Sequence, residues 1–302
     1  MAVLVTGATG SIGKEVVAGL LARGADVRAL VRSAERAARL PEGVEAAIGD
    51  LRDPASVAAA LDGVTAALYV SPHDAAEEAM AAGFIAACER AGTRIVFAGV
   101  YANASNAATR FLLRSAFSLM LPKYRGKLRL SRAIERSRTR PVLFQVSNYY
   151  QNDEVVREDI LGGDYPLPTH PRGINRVDLR DVGEVAARAL VDPAFPAGGH
   201  SLVGPASVAG ARAAQVWADT LGRPVRYHGP ESDWRERLGR RLEGQKRTDF
   251  IGSFSTLSRF SMPTSPAQVE AMTRLLGRPP RSYETYVADT AARWAEPASD
   301  PA

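Results

Sequence analysis

The sequence predicts an α/β protein built on a doubly wound parallel sheet, with a smaller, mostly helical C-terminal part. Three observations carry that prediction. Short apolar runs alternate with helical patterns through the first hundred residues, as in a parallel sheet covered by helices on both faces. The first run, Ala2-Val3-Leu4-Val5, passes directly into a glycine-rich turn and then a helical pattern. Beyond Tyr101 the alternation loosens and helical stretches dominate. A chain of 302 residues that is 46% hydrophobic can bury a core of this size.

The elements follow in order. Residues 2–6 read as a strand and 11–23 as a helix, with Gly24 where a helix-ending glycine is expected. Residues 25–31 form a second strand. Helical patterning returns at 34–40, 54–61 and 75–91, separated by strands at 44–48, 66–70 and 94–98. A basic amphipathic stretch at 123–138 leads to a strand at 141–146 and a loop rich in Asn, Tyr and Gln. Residues 182–191 read as a helix behind the acidic start Asp178-Leu179-Arg180-Asp181, which the helix dipole favours. A strand at 200–202 and helices at 207–221, 270–276 and 282–294 complete the pattern; 229–263 is the least legible stretch. The expected organisation is a nucleotide-binding domain over 1–150 and a substrate-binding part over 151–294. The chain crosses back to the first domain near 174–191, and a disordered tail occupies 295–302.

Several function classes are disfavoured. No run approaches the roughly 20 apolar residues of a membrane span, and the immediate entry into a strand predicts no secretory signal. A cytoplasmic protein is expected. The single cysteine, Cys88, lies in an apolar helical pattern and reads as a buried thiol. It cannot form an intrachain disulfide or a cysteine-rich metal site, and the histidines have no ligand spacing. The net charge of +5 is spread among acids, which predicts solvated helix faces and no nucleic-acid stripe. A monomer or homodimer acting on a small-molecule substrate is expected.

The chemistry begins at the turn Gly7-Ala8-Thr9-Gly10-Ser11-Ile12-Gly13. Its spacing differs from the strict G-x-G-x-x-G, but the physical demands are the same: a tight turn, close backbone approach to a pyrophosphate, and close helix–strand packing. The free amides of the following helix then face a phosphate. The turn lies between a strand and a helix, as a Rossmann-type dinucleotide site requires. At the end of the second strand stand Arg32 and Ser33. An acid there bonds a free ribose 2′-hydroxyl, whereas arginine accommodates a 2′-phosphate. Arg32, with Ser33 as an assisting donor, therefore points to NADP(H); a solvated surface arginine is the alternative. Asp50-Leu51 follows the third strand. Its carboxylate could accept from an adenine amino group or simply form a turn. Tyr101, at the carboxyl end of the fifth strand, lies where open α/β sheets bind ligands and is either a pocket residue, a proton donor or a packing tyrosine. His73 could shuttle a proton or serve only as a loop residue.

These segments together resemble the NmrA-like branch of the atypical short-chain dehydrogenase/reductases. The likeness rests on Thr6–Gly13, Val31-Arg32-Ser33, Gly49-Asp50-Leu51, Lys127 with Ser137, and Phe144-Gln145-Val146-Ser147-Asn148-Tyr149-Tyr150-Gln151-Asn152. Val177-Asp178-Leu179-Arg180-Asp181-Val182 and Leu276-Gly277-Arg278-Pro279-Pro280-Arg281-Ser282-Tyr283 extend it over residues 2–294. The resemblance implies that Asp50 and Leu51 contact adenine and that Val70, Ser71 and Pro72 pass near the cofactor ribose. It implies that Lys127 bonds the nicotinamide ribose and that Ser147, Tyr149 and Tyr150 border nicotinamide and substrate. Tyr101 and Asn152 are assigned to the substrate side as well. Most members are NADP(H) enzymes, while some sense redox state without turnover.

The sequence departs from the usual catalytic pattern. The fifth strand ends Phe97-Ala98-Gly99-Val100-Tyr101 without the usual serine, and Lys127 is preceded by Lys123 at four residues and Tyr124 at three. The Tyr-x-x-x-Lys that donates a proton and holds the ribose is absent. Lys127 and Tyr101 are left as the candidate catalytic pair. The expected function is an NADP(H)-dependent oxidoreductase that passes hydride to a ketone, quinone, enone or imine, with residues 250–263 as an apolar cover. A quinone or activated alkene, which needs little proton assistance, is favoured. A non-catalytic NADP(H) redox sensor and an epimerase or cyclase without net redox are the alternatives.

Overall fold

The computed structural model describes residues 2–72, 74, 76–99, 125–146, 148–229 and 233–296. The chain divides into two compact units, Met1–Val146 with Leu179–Leu202, and Ser147–Asp178 with Val203–Ala302. The first runs β1 (Ala2–Thr6), α1 (Ser11–Leu21), β2 (Asp26–Val31), α2 (Ala34–Ala37), β3 (Val44–Ile48), α3 (Pro54–Ala60), β4 (Val64–Val70), α4 (Glu77–Ala91), β5 (Arg94–Gly99), α5 (Arg125–Glu135) and β6 (Val142–Gln145). The second unit opens with a 3-10 segment (Tyr150–Val156), α6 (Arg157–Leu161), β7 (Asp164–Tyr165) and β8 (Ile174–Asn175). The chain returns to the first unit for α7 (Leu179–Val191) and β9 (Gly198–Ser201). It ends in the second with β10 (Ser207–Val208), α8 (Gly210–Leu221), β11 (Arg226–Tyr227), α9 (Trp234–Arg241), α10 (Gly244–Arg259), α11 (Pro266–Leu276) and α12 (Tyr283–Ala295).

The first unit holds a seven-stranded sheet in the order β3-β2-β1-β4-β5-β6-β9, and its pairings are parallel. Consecutive strands move outward from β1 to β3, then the chain returns to β4 and moves the other way. That reversal leaves a crevice at the carboxyl ends of β1 and β4, where such sheets bind ligands. The inner strands are buried on both faces: Val3, Leu4 and Val5 of β1 and Ala66–Tyr69 of β4 are at most 3% exposed. Their unbroken apolar runs follow from that burial. The edge strand β3 leaves Ile48 62% exposed.

One face of the sheet carries α3, α4 and α5, with Tyr69, Phe84, Phe97, Ile134 and Leu143 in its core. The Tyr69 ring meets Phe84 at 5.0 Å and stacks on Phe97 at 6.3 Å. On the other face α1 packs closely against α7. That approach requires Gly183, because a Cβ there would lie 2.6 Å from the Glu15 backbone. The second unit has its own core, built around Trp217, Trp234, Tyr150, Tyr165, Tyr283 and Tyr286.

Some element boundaries differ from the sequence reading. Helix α7 begins at Leu179, so Asp181 lies inside its first turn. The helix expected over 207–221 starts only at Gly210, because Ser207 and Val208 pair antiparallel with Asn175 and Ile174. Residues 234–259 form two helices where no pattern was legible. Within the second of these, Phe254 and Leu257 are buried, with Phe254 in the unit's own core, and of the large apolar residues over 250–260 only Phe260, just past the helix end, is exposed. The expected tail lies outside the described residues from 297 onward. No helix among the described residues is long and apolar enough to cross a membrane.

Candidate functional site

The turn after β1 is shaped by backbone approach. Gly7 adopts φ +66°, a left-handed conformation open to glycine at little cost, and its carbonyl accepts from Gly10 N–H at 2.9 Å. Gly13, in the first turn of α1, packs so tightly that a Cβ would overlap the Gly7 carbonyl and the Ala8 Cα. Helix α1 then starts from an extended Gly10 with no side-chain cap and no acid in its first turn. Its orphan amides and positive dipole end are thus left for an anion. Thr6 fixes the turn against β4, because its Oγ1 accepts from Val70 N–H at 3.1 Å.

Beside this turn is a cleft of about 380 Å3. It is lined by Gly7, Thr9 and Gly10 of the turn, by Arg32, Arg36, Asp50 and Leu51, and by Val70, Ser71 and Pro72. Ser11 and Ile12 sit on the first turn of α1 beside Gly10. Gly7, Arg32 and Asp50, read from their places after strands, and Ser71, implied by the resemblance, therefore line one cleft although they span 65 residues of sequence. Arg32 is exposed at the end of β2. Ser33 has a structural duty, because its Oγ caps α2 by accepting from Arg36 N–H at 3.3 Å; the hydroxyl hydrogen is still available to donate.

Of the two readings of Asp50, the turn is what its carboxylate forms. Its Oδ1 accepts from Arg52 N–H at 2.8 Å, forming the turn, while the residue also lines the cleft. Three charged residues not singled out from sequence join it: Arg36, Arg52 and Asp74. Arg36 follows Arg32 by four residues, a spacing that could have revealed it. Arg52 and Asp74 form an ion pair. The Ala76 backbone N–H, followed by Arg52, holds the Asp74 carboxyl below the usual range.

Ser71 leads to Lys127. The Ser71 hydroxyl bonds Glu77 Oε1, and the Lys127 ammonium donates to Ser71 Oγ at 3.3 Å and to Glu77 Oε2 at 3.3 Å. Glu77 had no sequence signal, since it meets Lys127 only through the packing of α4 against α5.

Tyr101, Ser147, His73 and Tyr124 lie outside the described residues. Tyr149, Tyr150 and Asn152 belong to the second unit. Tyr149 is partly exposed, and burial of its hydroxyl pushes the pKa up to about 12. Asn152 is also partly exposed, whereas Tyr150 is fully buried. Its ring lies 5.1 Å from Tyr283 and 5.5 Å from Tyr286, so Tyr150 is a core residue and not a surface for substrate.

The motif around these residues is held by a buried ion pair that sequence reading missed. Arg176 bonds Asp153 at 2.7 Å, the Asn148 side chain at 3.0 Å, and the carbonyls of Tyr149 and Tyr150 at 2.8 and 3.1 Å. Tyr165 donates to Asp153 at 2.9 Å, Trp217 Nε1 donates at 3.2 Å, and Tyr283 bonds the same carboxylate.

An NAD(P)H-binding family model matches residues 7–193. An NAD(P)H azoreductase from Xenophilus azovorans is 28% identical over 295 residues, covering 95% of this chain and 91% of that protein. The structure of Citrobacter sp. triphenylmethane reductase complexed with NADP(H) superposes with a TM-score of 0.78 at 21% identity, covering 96% of this chain and 100% of that one. A mutant NmrA superposes with a TM-score of 0.73 at 17% identity, covering 98% of each chain. The chain therefore belongs to the NAD(P)H-binding family and shares its fold with the NmrA and triphenylmethane reductase structures.

Proposed function

We propose that this chain is an NADP(H)-dependent oxidoreductase that passes hydride to a small or medium organic acceptor. The observation that carries the cofactor choice is the cleft lining just beyond β2, where Arg32, with Arg36 also in the lining, takes the position at which an acid would bond a free 2′-hydroxyl. The rest of the site fits a dinucleotide. In the Gly7–Gly13 turn Gly13 has no room for a Cβ, which lets the start of α1 lie against the turn where a pyrophosphate would approach. The α1 amides offer donors, and Leu51 offers an apolar wall beside Asp50 for adenine.

When bound, NADPH supplies the hydride from C4 of its nicotinamide. The protein's part is to hold and orient it. Gly10, Ser11, Ile12 and Gly13 bind the pyrophosphate, Arg32 and Arg36 bind the 2′-phosphate, and Val70, Ser71, Pro72 and Lys127 hold the nicotinamide ribose. Tyr101, Ser147, Tyr149 and Asn152 serve the substrate side. Tyr149 is protonated at neutral pH and acts as a neutral hydrogen-bond donor. An acceptor that takes hydride with little proton assistance suits this residue set: a quinone, an azo or triphenylmethane dye, or an activated alkene. The names of the azoreductase relative and of the triphenylmethane reductase support that class.

The test is a thermal-shift comparison. NADPH at about 100 times its dissociation constant stabilises by about 2.7 kcal/mol and is expected to raise Tm more than equal NADH. Arg32→Asp is expected to reverse the order. Equal shifts with both cofactors overturn the 2′-phosphate reading, and binding without consumption of NADPH by any acceptor of this class overturns the reductase reading.

A further inference from the structure

We propose that Glu77 is the positioning residue of the nicotinamide-ribose end: it holds the Lys127 ammonium and the Ser71 hydroxyl together. The inference rests on the cofactor reading of the cleft. Three facts carry it. The Glu77 carboxylate is engaged at both oxygens, Oε1 by the Ser71 hydroxyl and Oε2 by the Lys127 ammonium at 3.3 Å. The Glu77 and Lys127 side chains are only 13% and 20% exposed, so water screens the pair weakly. And Ser71, the third member, lines the cleft at the end of β4.

The arrangement has a physical consequence. A lysine stem has four rotatable carbons and a strongly hydrated head, so without an anchor the ammonium wanders. Glu77 sits at the start of α4, on a different element from Lys127 of α5 and from Ser71. Its two oxygens therefore fix the distance between the ammonium and the hydroxyl. The carboxylate also compensates the lysine charge. Lys127 then acts at the ribose as an oriented donor and lends little net positive potential for lowering a neighbouring phenol's pKa. That matches acceptors that need no strong proton donor.

The experiment compares NADPH with 2′,5′-ADP, which carries the adenine and 2′-phosphate but no nicotinamide ribose. Dissociation constants for both are measured on wild type, Glu77→Gln, Glu77→Asp, Lys127→Met, Arg32→Ala and the Glu77→Gln/Lys127→Met double variant, with Tm recorded for each. The ratio of the two affinities reports a charge-assisted hydrogen bond that is weakened at the ribose end alone. Glu77→Gln is expected to cut the NADPH advantage over 2′,5′-ADP about tenfold, with partial recovery in Glu77→Asp, whose carboxylate keeps the charge at shorter reach. Lys127→Met is expected to match Glu77→Gln, and the double variant to fall no further than Lys127→Met alone. Arg32→Ala is expected to weaken both ligands equally.

A ratio untouched by Glu77→Gln, a double variant whose loss is the product of the singles, or a ratio untouched by Lys127→Met overturns the inference while leaving NADPH binding in place. If Glu77→Gln lowers Tm enough to blur the titration, Glu77→Asp and Lys127→Met alone decide it through the same ratio. Wild-type protein that binds neither ligand overturns the cofactor reading itself.

Discussion

At the scale of single residues, the proposed cofactor site depends on an atom that is missing. Gly13 allows α1 to start against the Gly7 carbonyl, and any Cβ there must displace the turn that lines the cleft. Gly13→Ala is expected to weaken NADPH binding by at least about tenfold, read by cofactor fluorescence titration; an unchanged dissociation constant would show that the turn does not touch the pyrophosphate. Arg32 and Asp50 could be read from spacing because their places relative to strand ends are set by the local chain, and Ser71 came from the resemblance. Glu77 and Arg176 could not. Glu77 reaches Lys127 across 50 residues and Arg176 reaches Asp153 across 23, and such pairings exist only after packing. The misassignment of Tyr150 has the same origin. A tyrosine-rich motif looks like a pocket wall until a buried arginine is seen binding its carbonyls and its neighbour Asn148. Removing one partner of such a buried pair strands the other's charge, so residues of this motif act on stability before they act on substrate.

At the scale of elements, the inner strands β1, β4 and β5 were legible because each carries an apolar run that is buried in the sheet. Helix α9 was not, because only Trp234 and Leu238 on it are buried. Its arginines instead pair with acids: Arg237 with Asp233 at 2.7 Å and Asp159 at 3.0 Å, and Arg240 with Glu236 at 2.6 Å. Two anchors do not make a detectable period. The close packing of α1 on α7 was also invisible, since a glycine in a helix pattern says nothing of what it faces. Two alanine substitutions separate the possibilities. Gly183→Ala places a Cβ 2.6 Å from the Glu15 backbone. It is expected to destabilise by about 1–3 kcal/mol, the usual cost of overpacking. Gly83→Ala, in the middle of α4, meets nothing within 4 Å. It is expected to stabilise by about 0.5–1 kcal/mol through its better helix propensity. Thermal melts of the two variants should move in opposite directions, and a neutral Gly183→Ala would mean that α1 and α7 do not pack this closely.

At the scale of the whole chain, two compact units are interleaved in sequence, and the chemistry-bearing cleft lies wholly in the first. The same unit contains the chain's single cysteine, which makes its opening measurable. Cys88 has no exposed surface, and burial pushes its thiol up to about 12. The reactive species is the thiolate, so labelling by a disulfide reagent at neutral pH requires the unit to open first. Where reclosing outpaces labelling, the rate follows the population of the open form. A ligand that binds only the closed unit reduces that population by the factor 1 + [L]/Kd. NADPH at about 100 times its dissociation constant is therefore expected to slow Cys88 labelling about a hundredfold, and NADH at the same concentration to slow it less. The measurement needs no substrate, no acceptor and no turnover, so it reads the cofactor assignment independently of the reductase assignment. Labelling that ignores NADPH while titration shows binding would mean that Cys88 is reached through a local opening of α4 that leaves the cleft formed. The α4 helix, which begins at Glu77 and carries Cys88 near its other end, would then be a separate opening unit.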